Sequence, residues 1–194
     1  MGYTYRGSLK DCTEGNTAII QMKDASAAGV EQVDQFARAQ LADFKAHYLL
    51  RPGDLIFRSR GLTNTCALIT KPLARTICIA PLMFIRVNRP DLISPAYLHW
   101  YINLPDTQQT IATFARGEVV RMISTTAMGT LEVLLPPLVR QQEIIAVTET
   151  ARQIAALEAE LIVKRKQYSE QALLRYARGE TLQAGGGVSL SGLT

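Results

Sequence analysis

The sequence has few of the residues from which proteins build metal and disulfide sites. Its 194 residues include only two histidines, His47 and His99, and three cysteines, Cys12, Cys66 and Cys78. An odd and widely spaced set of cysteines, without a C-x-x-C pair, is not typical of a zinc knuckle or a disulfide framework. We therefore expect reduced thiols in a cytoplasmic protein, and no metal site.

Phosphate loops and catalytic carboxylate pairs are also missing. The chain contains neither G-x-G-x-x-G nor G-x-x-x-x-G-K-[ST], so no glycine-rich nucleotide cradle is predicted. No carboxylate pair stands at a spacing typical of general acid–base chemistry. Leu135-Pro136-Pro137 lacks the polar residue before the prolines and the aromatic residue after them that an adenine methyltransferase's catalytic loop carries. We expect no catalytic residue and no cofactor on this chain.

Long hydrophobic runs are absent as well. No apolar segment approaches the roughly 18 residues of a membrane helix, and the N-terminus lacks the charged-then-apolar pattern of a secretory signal. The net charge of +4 permits a nucleic-acid partner without requiring one. Because no segment is a basic arm, a DNA footprint would require scattered cations to fold onto one face.

One long helical segment dominates the second half of the sequence. After Arg140, about 38 residues contain no proline and no glycine until Gly179, and they are rich in strong helix formers. Apolar residues recur at steps of three and four, as in a heptad seam. The seam consists of Ile144, Val147, Ala151, Ile154, Leu157, Leu161 and Tyr168.

A helix of that length cannot bury its whole surface on one domain of ordinary size. The seam therefore predicts packing against another chain. The alternative is a surface helix folded back on its own domain. Arg178 and Gly179 predict the helix end, with a cation in the last turn and a glycine stop.

The fold class predicted for the whole chain is α+β. Residues 1–138 are expected to form a mixed α/β domain, residues 139–179 the long helix, and residues 180–194 a flexible glycine-rich tail. The predicted strands lie at 17–22, 30–36, 55–57, 67–69, 76–80 and 82–87, and a segment at 119–123 is expected to be extended. Arg51-Pro52-Gly53-Asp54 predicts a turn in which Asp54 supports the backbone.

Three helix starts are also predicted. Ser94-Pro95 is expected to open a helix over 96–103, because serine is a favourable N-cap and proline a favourable first residue. Asp106 is expected to cap a helix over 107–114. Ser124 is expected to cap a short turn that stops at Gly129.

Cations lie on the predicted loops together with hydroxyl and amide side chains. Arginine forks bind guanine edges or phosphates, asparagine pairs with adenine, and serine and threonine hydroxyls hold the DNA backbone. A solvated surface explains the same residues equally well. The candidate DNA-contact set is Lys23, Arg58, Arg60, Thr63, Asn64, Arg75, Arg116 and Arg121.

Four short motifs, in order, resemble the target recognition domain of the specificity (S) subunits of type I restriction–modification systems. They are LRPGDLIFRSRG at 50–61, ISPAYL at 93–98, the segment 117–124, and LLPPL at 134–138 with QQEI at 141–144. Each motif alone has low specificity for the family, but the four in order, followed by the long helix, are more specific. The resemblance covers nearly the whole chain to about Arg178.

The resemblance implies a non-catalytic subunit that reads double-stranded DNA and docks methyltransferase (M) subunits. In full complexes it also implies a restriction (R) subunit as partner. S-adenosylmethionine, Mg²⁺ and ATP would then belong to the partner subunits. The loops after residues 57 and 116 would specify bases, and the other cations would hold phosphates.

Typical members of the family carry two recognition domains and two long helices, which pack antiparallel as a ruler between two half-targets. One domain and one helix therefore resemble a half-sized subunit, which predicts a homodimer formed through the seam. Such a dimer would read an interrupted palindrome. Pairing with a different half-subunit would give an asymmetric target instead.

Two further functions remain as alternatives. A methyltransferase or nuclease fragment would require an S-adenosylmethionine loop or an acidic metal cluster, and the sequence shows neither. A protein-only coiled-coil adaptor, or an inhibitor that mimics half of a specificity subunit, would bind M subunits without DNA. Acidic loops would favour this last function, and the loops here are basic.

Overall fold

The computed structural model describes residues 1–5, 14–30, 33–42, 44–61, 63–117 and 121–179. It divides into two compact units, Met1–Ile145 and Ala146–Thr194, which are described in turn. Cys12 and the tail predicted over 180–194 lie outside the described residues.

The first unit combines short strands with short helices. Its strands are β1 (Thr17–Ile20), β2 (Ala25–Ser26), β3 (Gly29–Val30), β4 (Ala37–Ala39), β5 (Leu55–Arg58), β6 (Cys66–Leu68), β7 (Thr76–Cys78) and β8 (Leu82–Ile85). Its complete helices are α1 (Pro95–Ile102), α2 (Pro105–Thr113) and α3 (Thr125–Met128). The strands and helices confirm the α+β class.

The strands form two small sheets and a hairpin. The first sheet has the order β4-β1-β7, in which β1 is antiparallel to β4 and parallel to β7. The second sheet has the order β6-β5-β8 and is antiparallel throughout. β2 and β3 pair with each other.

β5 lies between two hydrophobic clusters because its side chains alternate. Ile56 points into a cluster with Ile20 and Leu82. Leu55 and Phe57 point the other way, into a cluster that also contains residues of α1, α2 and α3, including Ile102, Ile111 and Met128. The central strand therefore ties the sheet to the helices.

Five predicted strands are confirmed with bounds that differ by one or two residues, but the strand predicted at 30–36 is wrong. Val33–Gln35 forms a 3₁₀ turn, and the strand that follows is β4. Val30 belongs to β3, which pairs with β2, and pairing with β1 starts only at Ala37, opposite Ile19. Residues 31 and 32 lie outside the described residues.

The predicted helix starts agree with the structure, but two of the three predicted caps differ from it. Ser94 occupies the N-cap position of α1 without a capping hydrogen bond from its side chain. α1 opens at Pro95 after Ser94, and the Ser124 hydroxyl accepts a hydrogen bond from the Ala127 N–H at 3.1 Å before α3. Asp106 is not a cap, because α2 already begins at Pro105 and Asp106 lies within its first turn. Proline fits the first helical position, where its missing N–H costs nothing.

The long helix is confirmed as α4 (Leu138–Ala177), with 40 residues. At about 1.5 Å per residue it is about 60 Å long. It begins directly after Pro137 and ends two residues before Gly179, whose φ is +76°. This conformation favours glycine and ends helices in many proteins. No helix in the described ranges is both long enough and apolar enough to cross a membrane.

Candidate nucleic-acid interface

Two of the predicted arginines flank Met122. Met122 forms antiparallel bridges with Arg60 on one side and Arg116 on the other. The Met122 N–H donates to the Arg116 carbonyl at 2.9 Å, and the Arg116 N–H donates to the Met122 carbonyl at 3.0 Å. Residues paired across antiparallel segments carry their side chains on the same face. The three side chains therefore form one surface, which we name the Arg60–Met122–Arg116 face.

The neighbouring residues Ser59 and Ile123 point into the core, so the Arg60–Met122–Arg116 face points toward solvent. Ser59 and Ile123 are fully buried, and the Ile123 N–H donates to the Ser59 carbonyl at 2.8 Å. The Ser59 hydroxyl also donates to the Pro81 carbonyl. Both arginines are exposed, and Met122 is 39 % exposed. The alternation of inward and outward residues is that of a half-buried sheet.

The loop between β5 and β6 is held by its own polar groups. The Asn64 Nδ2 donates to the Arg58 carbonyl at 2.9 Å, and the Arg58 N–H donates to the Thr65 carbonyl at 3.0 Å. Asn64 is only 8 % exposed, so its amide shapes the loop. Its contact with DNA stays an untested prediction.

The last residue of β5 and the loop that follows it each contain a buried polar atom without a hydrogen-bond partner among the described residues. They are the Arg58 Nε and the Thr65 Oγ1. Arg58 is half-buried at the end of β5, whereas Thr63 is exposed.

Two side chains that the sequence analysis missed fix this loop against the helices. Asn103, directly after α1, accepts from the Cys66 N–H at 3.0 Å and donates to the Cys66 carbonyl at 2.8 Å. Gln108 of α2 donates to the Asn64 carbonyl at 3.1 Å and to the Ile102 carbonyl at 2.7 Å. No local sequence pattern marks these roles, because their partners lie up to 44 residues away.

The remaining predicted contacts have mixed surroundings. Arg121 is exposed beside Met122. Arg75 is engaged within the first unit: its Nε donates to the Thr17 Oγ1 at 3.0 Å, and its guanidinium carbon lies 4.7 Å from the centre of the Phe44 ring. Lys23 is exposed in the 3₁₀ turn at Met22–Asp24, and the bridges described above do not include it.

Two buried cysteines and one cavity of the first unit have the properties of a packed core rather than of a reactive site. Burial raises the pKa of Cys78 to about 12 and raises the pKa of Cys66 still further, so both thiols stay protonated at neutral pH. A cavity of about 320 Å³ is lined mainly by apolar side chains, among them Met83, Leu98 and Leu131. Within the described ranges, no three His, Cys, Asp or Glu side chains come together as a metal site would require.

The apolar seam of the second unit is open to solvent. Val147, Ile154, Leu161 and Tyr168 follow one another at intervals of seven residues, and 47–74 % of each is exposed. Ala151 and Leu157 are also exposed, while Ile144, in the first unit, is partly buried. The predicted dimer contacts on the second unit are therefore on the surface, and what covers them stays a prediction.

One solved structure gives the fold a point of comparison. The chain is similar to the crystal structure of the HsdS subunit from Thermoanaerobacter tengcongensis, with a TM-score of 0.56 and 19 % sequence identity. The match covers 73 % of this chain and 37 % of that chain, so this chain spans well under half of that subunit. No family model and no curated protein matches. The chain thus has a fold like that of a type I specificity subunit.

Proposed function

We propose that this chain is a non-catalytic DNA sequence-specificity subunit of a type I restriction–modification system. The observation that carries the proposal is the outward Arg60–Met122–Arg116 face, which combines two exposed arginines on a fold similar to that of an HsdS subunit. Arginine is the side chain best suited to guanine edges and phosphates, because its donors form a rigid fork.

The exposed residues around this face would make the direct contacts. Arg60 and Arg116 would read base edges, while Arg121 and Thr63 would contact the adjoining backbone. Arg58, which is half-buried, would contact DNA through the part of its side chain that solvent reaches, and Lys23 and Arg75 would hold phosphates. Asn64 would act by shaping the loop.

Two copies would join through the seam of α4. Four exposed apolar residues at seven-residue intervals are the pattern with which helices pair. A two-fold pair would present two identical recognition faces, so the target would be an interrupted palindrome. Pairing with a different half-subunit would give an asymmetric target. Methyltransferase subunits would dock on the pair and carry S-adenosylmethionine, and Mg²⁺ and ATP would act on partner subunits, including any restriction subunit.

The test is duplex binding by the variants Arg60→Ala and Arg116→Ala. Fluorescence anisotropy measures the affinity over a range of salt concentrations. If Arg60 or Arg116 holds a phosphate, its alanine variant lowers the salt slope by about one. If it reads a guanine, the variant binds the preferred duplex about 5- to 150-fold more weakly, which corresponds to roughly 1–3 kcal/mol.

Arg89→Ala is the matched control, because it removes the same charge from an exposed arginine that pairs with Asp91 elsewhere in the first unit. This control is expected to bind DNA nearly as the unaltered chain does. If Arg60→Ala and Arg116→Ala behaved like Arg89→Ala, the proposed recognition face would be refuted.

The exposed seam also fits a second candidate function, a protein-only adaptor or an inhibitor that mimics half of a specificity subunit. Such a protein would form a complex with a methyltransferase subunit without binding duplex DNA. Co-elution of the two proteins, combined with no duplex binding at low salt by either the chain or the complex, would favour this function over the first.

A further inference from the structure

Met122 occupies the centre of a cationic surface although it is apolar. Its side chain is 39 % exposed, while the next residue, Ile123, is fully buried. A single exposed apolar residue needs no explanation. Here, however, backbone bridges set an arginine directly on each side of it, so the methionine is presented together with two cations.

The spacing of the three chain segments limits which DNA groove fits them. Neighbouring extended segments lie about 4.8 Å apart, so the backbones at Arg60 and Arg116 are roughly 9–10 Å apart. This width exceeds the roughly 6 Å of the minor groove but fits the roughly 12 Å of the major groove. The face therefore matches the major groove.

The chemistry of the major groove matches the order of the three side chains. Guanine presents two acceptors there that an arginine fork satisfies, and thymine presents an apolar methyl group. Methionine is flexible and polarisable, and it adapts to small apolar partners. We infer that Met122 reads thymine by packing on its 5-methyl group in the major groove, while Arg60 and Arg116 contact acceptors on either side. The inference rests on the proposed function, because it takes duplex DNA as the ligand.

The test begins with a duplex enriched from a randomised pool by the full-length chain. Each thymine of that duplex is replaced in turn by deoxyuridine, which lacks only the methyl group. At one thymine of each half-site, the replacement should weaken binding by the unaltered chain about fourfold, the value expected for exposing one methyl group. Met122→Ala should bind the thymine and deoxyuridine duplexes equally at that position.

Two variants serve as controls. Met122→Leu keeps an apolar side chain of similar size and should retain a preference for thymine. Leu92→Ala removes a side chain of similar exposure, 46 %, from a different loop. For this variant, replacing thymine by deoxyuridine should still lower the affinity about fourfold. Met122→Gln, which has a similar length but is polar, gives the same comparison as Met122→Ala if the alanine variant does not fold.

The outcomes separate this inference from the proposed function. If the unaltered chain enriches a sequence but tolerates deoxyuridine at every thymine, the inference is overturned and the proposed function stands. If deoxyuridine weakens binding by Met122→Ala as much as it weakens binding by the unaltered chain, the inference is also overturned and the proposed function stands. If the unaltered chain enriches no sequence at all, both fail.

Discussion

At the residue scale, the buried carboxylate of Asp54 requires hydrogen bonds and a compensating cation. It accepts hydrogen bonds from the Arg51 N–H at 2.8 Å and from the Arg86 Nε and Nη2 at 2.7 and 2.6 Å. The first contact confirms the predicted turn support. The hydrogen bond with Asp54 raises the pKa of Arg86. Since Asp54 is only 2 % exposed, its charge depends on Arg86 for compensation.

Replacing Arg86 by methionine should therefore be strongly destabilising. The change leaves a buried carboxylate without its cation, and such losses typically cost about 3–5 kcal/mol. Urea unfolding of the full chain measures the change in the free energy of unfolding. Arg89→Met is the matched control, because its partner Asp91 is exposed and exposed ion pairs contribute little. Equal effects of the two changes would contradict this account of Asp54.

His99 should make stability depend on pH. Burial lowers the pKa of His99 below its usual 6.5, and its Nε2 lies 3.2 Å from the Ala27 carbonyl, to which it donates. The unfolded chain therefore takes up a proton at a higher pH than the folded chain does. Stability from the neutral ring is complete above about pH 6.5 and is lost as the pH falls through 6.5 toward the lowered folded-state pKa.

His99→Gln keeps an N–H donor but cannot titrate. Urea unfolding between pH 7.5 and pH 5.5 should show a smaller fall in the free energy of unfolding for this variant than for the unaltered chain. Parallel curves for the two proteins would show that His99 does not contribute to the pH dependence.

At the element scale, Gln141 anchors the first turn of α4 within the first unit. Its side chain is fully buried. The Oε1 accepts from the Ser94 N–H at 2.9 Å, and the Nε2 donates to the Leu92 and Pro136 carbonyls, both at 2.8 Å. One amide thus joins the start of α4 to the segment before α1.

Gln141→Leu should destabilise the chain by at least about 2 kcal/mol. The leucine has a similar size but leaves a backbone N–H and two carbonyls without partners, and each unsatisfied buried group costs about 1–3 kcal/mol. Gln142→Leu is the control, because Gln142 is the exposed neighbour on the same turn. If the two variants unfolded at the same urea concentration, the anchoring role would be wrong.

The elements that the sequence predicts well are those with local causes. The turn before β5, the start of α1 and the length of α4 follow from proline, glycine and helix-forming residues within a few positions. Arg86, the cation that pairs with Asp54, lies 32 residues away, and Ser94, whose N–H donates to Gln141, lies 47 residues away, so no local pattern indicates these two contacts. The same holds for the Arg60–Met122–Arg116 face: the sequence predicts the two arginines separately, and only the pairing of Met122 with both of them brings them together.

At the scale of the whole molecule, the exposed seam predicts self-association. A dimer would have a mass of about twice 21.4 kDa, measurable by light scattering. Ile154→Glu should weaken the dimer at least about tenfold, because Ile154 is 52 % exposed and each copy would lose roughly half of the 1.5–3 kcal/mol that a fully buried isoleucine contributes. Val163→Glu, on α4 but off the seam and similarly exposed, should leave the mass unchanged. A monomer for the unaltered chain would refute the homodimer.

The most direct test of the central claim is the sequence that the full-length chain enriches from a randomised duplex pool. Two copies reading DNA through identical faces predict an interrupted palindrome, with two inverted half-sites separated by a fixed spacer. An asymmetric enriched site would support the claim that this chain reads DNA sequence but would contradict the pairing of identical copies. A pool that shows no enriched sequence at low salt would contradict the claim that this chain specifies a DNA target.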